Sequence, residues 1–109
     1  MSQNIISWDE SRKREHARGF SMPFVNEACG AEKLALHVSV IHPGQSAHDP
    51  HAHDGEEIIF VLEGTAEITM GDERQFAGAN TAVFCPPHVL HGIRNAGEIP
   101  IRYMIIRTP

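Results

Sequence analysis

Two histidines and a glutamate in the middle of the chain, His51, His53 and Glu57, are two and four positions apart. Side chains alternate between the two faces of an extended strand, so these three project to one side if the segment stays extended. Gly55, the position between them on that side, has no side chain to obstruct them. Two imidazoles and a carboxylate in one space favour a transition-metal site. The alternative is a polar, histidine-rich loop that binds metal only weakly.

A second candidate residue, His91, follows the proline pair Pro86-Pro87. The proline rings fix the backbone φ angle, so they define where the next strand begins. His91 is therefore presented at a defined place rather than on a flexible loop.

Short strands separated by turns must position these side chains. From Leu34 onward, apolar residues recur with the period of a strand, and turn-forming residues interrupt them about every ten positions. The predicted strands cover residues 34–41, 57–62, 65–70, 75–76, 81–85, 90–95 and 101–107. This pattern is typical of an all-β sandwich or barrel.

The strand that follows the histidines is apolar on both faces. Ile59 and Val61 share the side of Glu57 and are predicted to point inward. The apolar residues predicted to face outward on this strand and on the last strand are Ile58, Phe60, Leu62, Met104 and Ile106. An apolar outer face of this kind marks an interface, so we expect a homodimer.

Residues 1–33 form an N-terminal arm whose pattern is less regular. Residues 5–8 fit a short strand or a packed arm, and residues 9–18 fit one or two helical turns. Residues 19–25 are apolar but contain Pro23, which suits an edge strand or an irregular segment. The arm carries Trp8, Phe20 and Phe24, so it is the alternative to a partner subunit as the cover of the outer face.

Composition limits the classes of protein to consider. A chain of 109 residues is sufficient for one domain with a real core. Its net charge of −5 is spread along the chain, which argues against nucleic acid or a membrane as a partner. Cys29 and Cys85 form no C-x-x-C pair, and the N-terminus has no secretory signal pattern. A cytoplasmic location is therefore expected.

The spacing of two separate motifs resembles that of the cupin superfamily. The residues that match the first motif are Gly44, His51, His53, Glu57 and Gly64, and those that match the second are Gly78, Pro86, His91 and Asn95. Six residues, not the usual five, separate Gly44 from His51. Seven separate Gly78 from Pro86, and His88 stands where a glycine is common. These departures concern only the rim of the pocket.

The resemblance implies one cupin domain over residues 1–109, with the arm at 1–33 and a conserved barrel at 34–107. The barrel is expected to be jelly-roll-like, with two antiparallel sheets. The implied ligands of one divalent metal are His51, His53, Glu57 and His91. Three neutral imidazoles and one carboxylate leave such an ion a net charge of about +1 and, in octahedral geometry, two open positions. Fe, Mn, Ni or Co suit this site, whereas four ligands would close tetrahedral zinc.

An open metal site of this kind favours an enzyme that acts on a small polar or oxygenated molecule, such as a sugar, a uronate or a small acid. The resemblance leaves dioxygenase, isomerase or epimerase, decarboxylase and lyase chemistry open. A non-catalytic module that binds or senses a small molecule is the alternative. A structural metal with a function at a protein interface is a third reading.

The remaining polar residues near the motifs have simpler expected roles. His48 is predicted at the rim, His88 in a solvated turn, and Cys85 as a small buried residue. Tyr103 either fills the core or offers its phenol to the pocket. His37 and His42 are expected at strand ends, and neither Arg94 nor Asn95 is assigned a catalytic role.

Overall fold

The strands of the protein form two antiparallel sheets. The computed structural model describes residues 4–109, and within them the strands are β1 (Arg14–His16), β2 (Gly19–Val25), β3 (Ala35–Ile41), β4 (Glu57–Glu63), β5 (Ala66–Met70), β6 (Glu73–Ala77), β7 (Thr81–Cys85), β8 (His91–Asn95) and β9 (Ile101–Arg107). Two single 3-10 turns, Glu10–Arg12 and Glu27–Cys29, complete the regular structure. The prediction of an all-β barrel with two antiparallel sheets is confirmed.

The larger sheet has the strand order β1-β2-β3-β9-β4-β7, and the smaller has the order β6-β5-β8. Residues 44–51 run beside β8 as an irregular extension of the smaller sheet, through bridges from Ser46 to Arg94 and from His51 to His91. Within residues 4–109, no helix has the length and apolar character that crossing a bilayer requires.

The barrel interior lies between the two sheets and follows the predicted alternation of β4. Ile59 and Val61 are 1% and 0% exposed, whereas Ile58, which faces the other way, is 37% exposed. The same interior cluster includes Ile41, Ile68 and other residues from both sheets. The apolar face of β3 is different: Val38 lies outside this cluster and pairs with Met22 of β2.

The arm contributes two strands, β1 and β2, to the larger sheet. It also covers the outer face of that sheet around Met22 and Val38. Trp8 packs edge-on against Phe20 and Phe24, with ring centroids 6.0 and 6.1 Å apart. β2 lies between β1 and β3, so the expectation of an edge strand is correct only for its second half. β1 pairs with residues 19–21 alone, which leaves Pro23 where no strand needs a backbone N–H on that side.

Candidate metal centre

Four side chains converge at one end of the barrel: His51, His53, Glu57 and His91. One potential ligand atom from each lies within 4.8 Å of those of the other three. His91 is the first residue of β8 in the smaller sheet, and Glu57 is the first residue of β4 in the larger one. The site therefore spans the two sheets.

The backbone fixes His51 against His91. The N–H of His51 donates to the His91 carbonyl at 2.9 Å, and the His91 N–H donates back to the His51 carbonyl at 2.8 Å. Pro50 packs on Gly92, where an added Cβ would lie 3.1 Å from the proline ring. Our expectation that His51, His53 and Glu57 share one extended strand is therefore wrong: His51 pairs with the smaller sheet, and the chain bends before β4 begins.

The bend between these residues depends on Gly55. A Cβ at this position would collide with the carbonyl oxygen of Thr108, which follows β9. The Thr108 N–H donates to the Glu56 carbonyl at 3.0 Å and so holds the two segments together. Close approach of the backbone, rather than clear space between the ligands, explains the glycine.

Two of the imidazoles present a lone pair to the centre of the cluster. Nδ1 of His53 lies 3.1 Å from the Gly55 carbonyl oxygen, and Nδ1 of His91 lies 3.0 Å from that of Val89. These contacts assign the proton to Nδ1 in each ring, because a carbonyl can only accept. Each Nε2 is then an acceptor, which is the form that binds a metal.

The buried acceptors face one another. Nε2 of His53 lies 3.4 Å from one oxygen of Glu57, and Nε2 of His91 lies 3.2 Å from the other. Both nitrogens are buried, and neither has a hydrogen-bond partner among residues 4–109. Lone pairs at these distances repel unless a cation lies between them. The donor set therefore fits a metal ion, and its identity is not fixed by the arrangement.

Burial is graded across the cluster. Glu57 and His91 are 6% and 1% exposed, His53 is half-buried, and His51 is exposed. Partial desolvation lowers the pKa of His51, and positive charge on His48 or His91 lowers it further, which favours the neutral ring. His51 is thus the member of the cluster most accessible from outside.

His48 stacks on His51 but does not join the cluster. The two rings are 4.1 Å apart with an interplanar angle of 27°. Its own Nδ1 lies 2.7 Å from the Asp49 carbonyl oxygen. This position is the predicted one at the rim.

His88 occupies the left-handed region of the backbone, with φ at +66°. A glycine is common at this position of the motif because that conformation disfavours a Cβ. The His88 N–H donates to the His53 carbonyl at 2.8 Å, so the turn supports a member of the cluster through its backbone. Its imidazole is exposed, 3.5 Å from Asp54.

Cys85 and Tyr103 fill the barrel below the cluster. Cys85 is fully buried opposite Glu57, and burial followed by the Glu57 charge raises the pKa of its thiol to about 12. Tyr103 is 3% exposed, and burial raises the pKa of its phenol to about 12 despite a hydrogen bond with Ser39. The phenol thus belongs to the core.

A cavity of about 550 Å³ opens beside His51 and His53. The rest of its wall comes from residues 26–27 and 31–33 of the arm and from residues 34–35 and 107–109 of the remaining chain. The contribution of the arm was not predicted, because residues 26–33 carry neither a motif nor a clear strand pattern. The size of the cavity lies within the ordinary range for small-molecule sites.

The family model of the cupin domain matches residues 37–107. The chain belongs to the cupin family. The histidines and the glutamate of both cupin motifs meet in the centre described above. The four residues expected as ligands are the four that the fold brings together, while their binding of a metal stays a prediction.

Several known proteins are similar to this one over part or most of its length. Mannose-1-phosphate guanylyltransferase RfbM of Salmonella typhimurium is 29% identical over 68 residues, which are 62% of this cupin and 14% of that enzyme. An RmlC-like cupin from Shewanella frigidimarina has a TM-score of 0.80 at 18% identity, covering 98% of this chain and 92% of that one. A protein from Acidithiobacillus ferrooxidans, provisionally named a sugar phosphate isomerase, has a TM-score of 0.71 at 25% identity, covering 83% and 60%.

Proposed function

We propose that this cupin is a metal-dependent enzyme that converts a small sugar or sugar-derived acid. The observation that carries the proposal is the position of the buried acceptors: Nε2 of His53 and of His91 converge with Glu57 beside a cavity of about 550 Å³. A structural metal needs no such cavity, whereas a reacting molecule must reach the ion.

The chain's own residues hold the ion and leave one approach to it. Glu57 and His91 are buried behind it, and His51 and His53 line the cavity in front of it. A bound Fe, Mn, Ni or Co ion would supply Lewis-acid polarisation of a carbonyl or hydroxyl oxygen of the substrate. The Nδ1 contacts of His53 and His91 keep both rings in the orientation that this requires.

The choice of a sugar is supported by the names of two relatives. One acts on mannose 1-phosphate and the other is provisionally a sugar phosphate isomerase. This chain corresponds to only 14% of the guanylyltransferase, so the nucleotidyl transfer itself is not part of the proposal. Isomerisation or epimerisation of a sugar is the reaction class that we favour.

Elemental analysis of protein purified without a histidine tag tests the metal, and proton NMR of incubated aldoses and uronates tests the reaction. We expect about one transition metal ion per chain. We also expect the NMR spectra to show slow exchange of sugar protons with solvent or slow isomerisation, and either reaction should stop on chelation. Turnover that survives complete removal of the metal would contradict the proposal. Tight sugar binding by the metal-loaded protein without turnover would favour the non-catalytic binding module instead.

We also propose that the cupin forms a homodimer in the cytoplasm. The arm packs on β2 at one end of the strand order, but Ile58 of β4 and Phe84 of the edge strand β7 are 37% and 54% exposed on the same outer face at the other end. A second copy related by a twofold axis can cover this side and pair with the free edge of β7. Light scattering should then give twice the 12.1 kDa of one chain. A mass near 12.1 kDa would contradict the dimer.

A further inference from the structure

Arg107 lies at the same end and on the same face of the larger sheet as Glu57 of the four-residue cluster. It is the last residue of β9 and pairs directly with Glu57 of β4. Directly paired residues on neighbouring antiparallel strands have Cβ atoms roughly 5 Å apart on one face of the sheet. Arg107 also shares the parity of Tyr103 and Ile105, which are buried inside the barrel. Its side chain thus leaves the backbone on the inner face, beside a residue of the cluster.

Two cavities meet at Arg107. On its other side, β3 places the small residue Ala35 directly opposite. Arg107 and Ala35 line both the cavity of about 550 Å³ beside His51 and His53 and a neighbouring one of about 300 Å³. A guanidinium at this position can reach a molecule that lies in either cavity.

Arg107 has no ion-pair partner among residues 4–109. None of the ion pairs within residues 4–109 includes it at an N–O distance of 4.0 Å or less. Arg102, five positions earlier on the same strand, faces the opposite side and lies over the Trp8 ring at 5.4 Å. Arg102 therefore has a packing role in the fold, and Arg107 faces the two cavities without one.

Other charged groups surround the two cavities. Lys33 and Glu32 line the larger cavity, Arg14 lines the smaller, and Glu27 lines both. All four side chains are exposed at the rim, as is that of Arg107. The ring of His37 lies in the smaller cavity; burial lowers its pKa, and the charge of Arg107 lowers it further. His37 and Arg107 thus share the wall of the smaller cavity.

We propose that Arg107 selects an anionic substrate: it binds the carboxylate of a uronate or the phosphate of a sugar phosphate, whose other oxygens face His51 and His53. This inference rests on the proposed function and adds the chemical class of the sugar. A guanidinium forms two parallel hydrogen bonds to either group, and such charge-assisted pairs exceed neutral ones in strength. A neutral sugar offers Arg107 only hydroxyl groups.

Three sugars with the same ring and the same hydroxyl groups at C1–C4 test the proposal. D-glucose, D-glucuronate and D-glucose 6-phosphate differ only at the sixth carbon, so their dissociation constants isolate the anionic group. We expect calorimetric titration of the metal-loaded protein to show one anionic sugar binding at least about tenfold more tightly than glucose. The two anionic sugars also tell a carboxylate site from a phosphate site.

Variants at Arg107 assign the preference to this side chain. Arg107→Gln should remove the tenfold preference, and Arg107→Lys should restore part of it because a single charge remains. Arg102→Gln is the matched control on the outer face of β9 and should keep the preference. Equal binding of the three sugars, no binding of either anion, or an unchanged preference in Arg107→Gln would overturn the inference.

Metal content measured on the same samples separates the two proposals. A chain that takes up no metal contradicts the proposed function. A metal-loaded chain whose anion preference does not depend on Arg107 contradicts only the inference about Arg107.

Discussion

The two ends of strand β8 differ in whether their buried side chains have hydrogen-bond partners. At one end, Nε2 of His91 is buried without a hydrogen-bond partner among the described residues. At the other end, the side chain of Asn95 is 0% exposed and satisfied three times over: its Nδ2 donates to the carbonyls of Ile41 and Ile99, and its Oδ1 accepts from the Gly97 N–H. Both residues belong to the second cupin motif.

The difference shows which motif residue holds the fold and which is free to bind something else. An unsatisfied buried acceptor costs stability, so it persists where a ligand completes it. A fully satisfied amide closes its own hydrogen bonds and has none to offer. We therefore propose that the end with His91 is the functional end, while the end with Asn95 is a structural clasp.

The largest effect should follow from removing a member of the functional end. His53→Ala deletes one converging nitrogen, and we expect metal affinity to fall by more than about 100-fold, since even the loss of a supporting residue costs up to that much. The barrel should stay folded because its strands provide most of the buried area. Elemental analysis after dialysis measures the metal, and circular dichroism measures the fold.

His48→Ala is the matched control for that experiment. His48 stacks on His51 from outside the cluster, so the variant should retain its metal. Full occupancy in His53→Ala, or loss of metal in His48→Ala, would show that the cluster is wrongly assigned.

A smaller effect of a different kind is expected at the clasp. Asn95→Ala removes three hydrogen bonds and leaves the Ile41 carbonyl without its partner, so the free energy of unfolding should fall by roughly 2–4 kcal/mol. Metal content should not change. Urea unfolding measures the loss, and Arg94→Ala, an exposed neighbour, should cost less than about 1 kcal/mol. If Asn95→Ala loses its metal while staying folded, the two ends are not independent.

The two cysteines contrast a sealed interior with an open turn. The pKa of Cys85 is raised to about 12, so its thiol stays protonated and buried at pH 8, whereas Cys29 is half-buried beside a 3-10 turn. One fast reaction with a thiol reagent is expected at pH 8, at Cys29, and mass spectrometry locates it. Unfolding returns Cys85 to its ordinary value of 9.0, so its contribution to stability is present below pH 9 and lost towards pH 12. Rapid labelling of Cys85 in the native protein would contradict this.

The smallest effect is expected at the strained turn below the metal centre. His88→Gly removes a Cβ from a backbone with φ at +66°, and the gain of about 1–2 kcal/mol is reduced by the greater freedom of glycine in the unfolded chain. Thermal unfolding should therefore show a net stabilisation of about 0.5 kcal/mol. Asn80→Gly, with φ at +61°, is the control and should gain less because asparagine tolerates this region. A large loss in His88→Gly would mean that the contact of His88 with Asp54 matters.

Local patterns predicted an all-β sandwich or barrel and grouped His51, His53 and Glu57, and the resemblance to the cupin motifs added His91. Turn residues and strand periodicity gave the number and order of strands after Leu34, and the inward direction of Ile59 and Val61 followed from Glu57. The geometric reason given for the cluster was nevertheless wrong. His51 pairs with β8, a contact between residues 40 positions apart in the chain, and strand parity within one segment cannot detect it.

Long-range contacts also explain what the sequence did not predict. The alternation in β3 predicted a strand without deciding which face is inside; Leu36 and Val38 face the arm, whose Trp8 packs on the neighbouring β2. Residues 26–35 line the cavity through their position after β2 rather than through any motif. Arg107 was part of an ordinary strand pattern until its pairing with Glu57 placed it beside the cluster.

The two sheets are hydrogen-bonded within themselves, and the cluster takes Glu57 from one and His91 from the other. An ion bound there would link the two sheets, much as a crosslink closes a loop of more than thirty residues. An ion that binds only the folded chain raises the free energy of unfolding by mass action. Amide hydrogen exchange should therefore slow at the start of both β4 and β8 when the ion binds, and a cell short of the metal would hold a barrel that opens from that end.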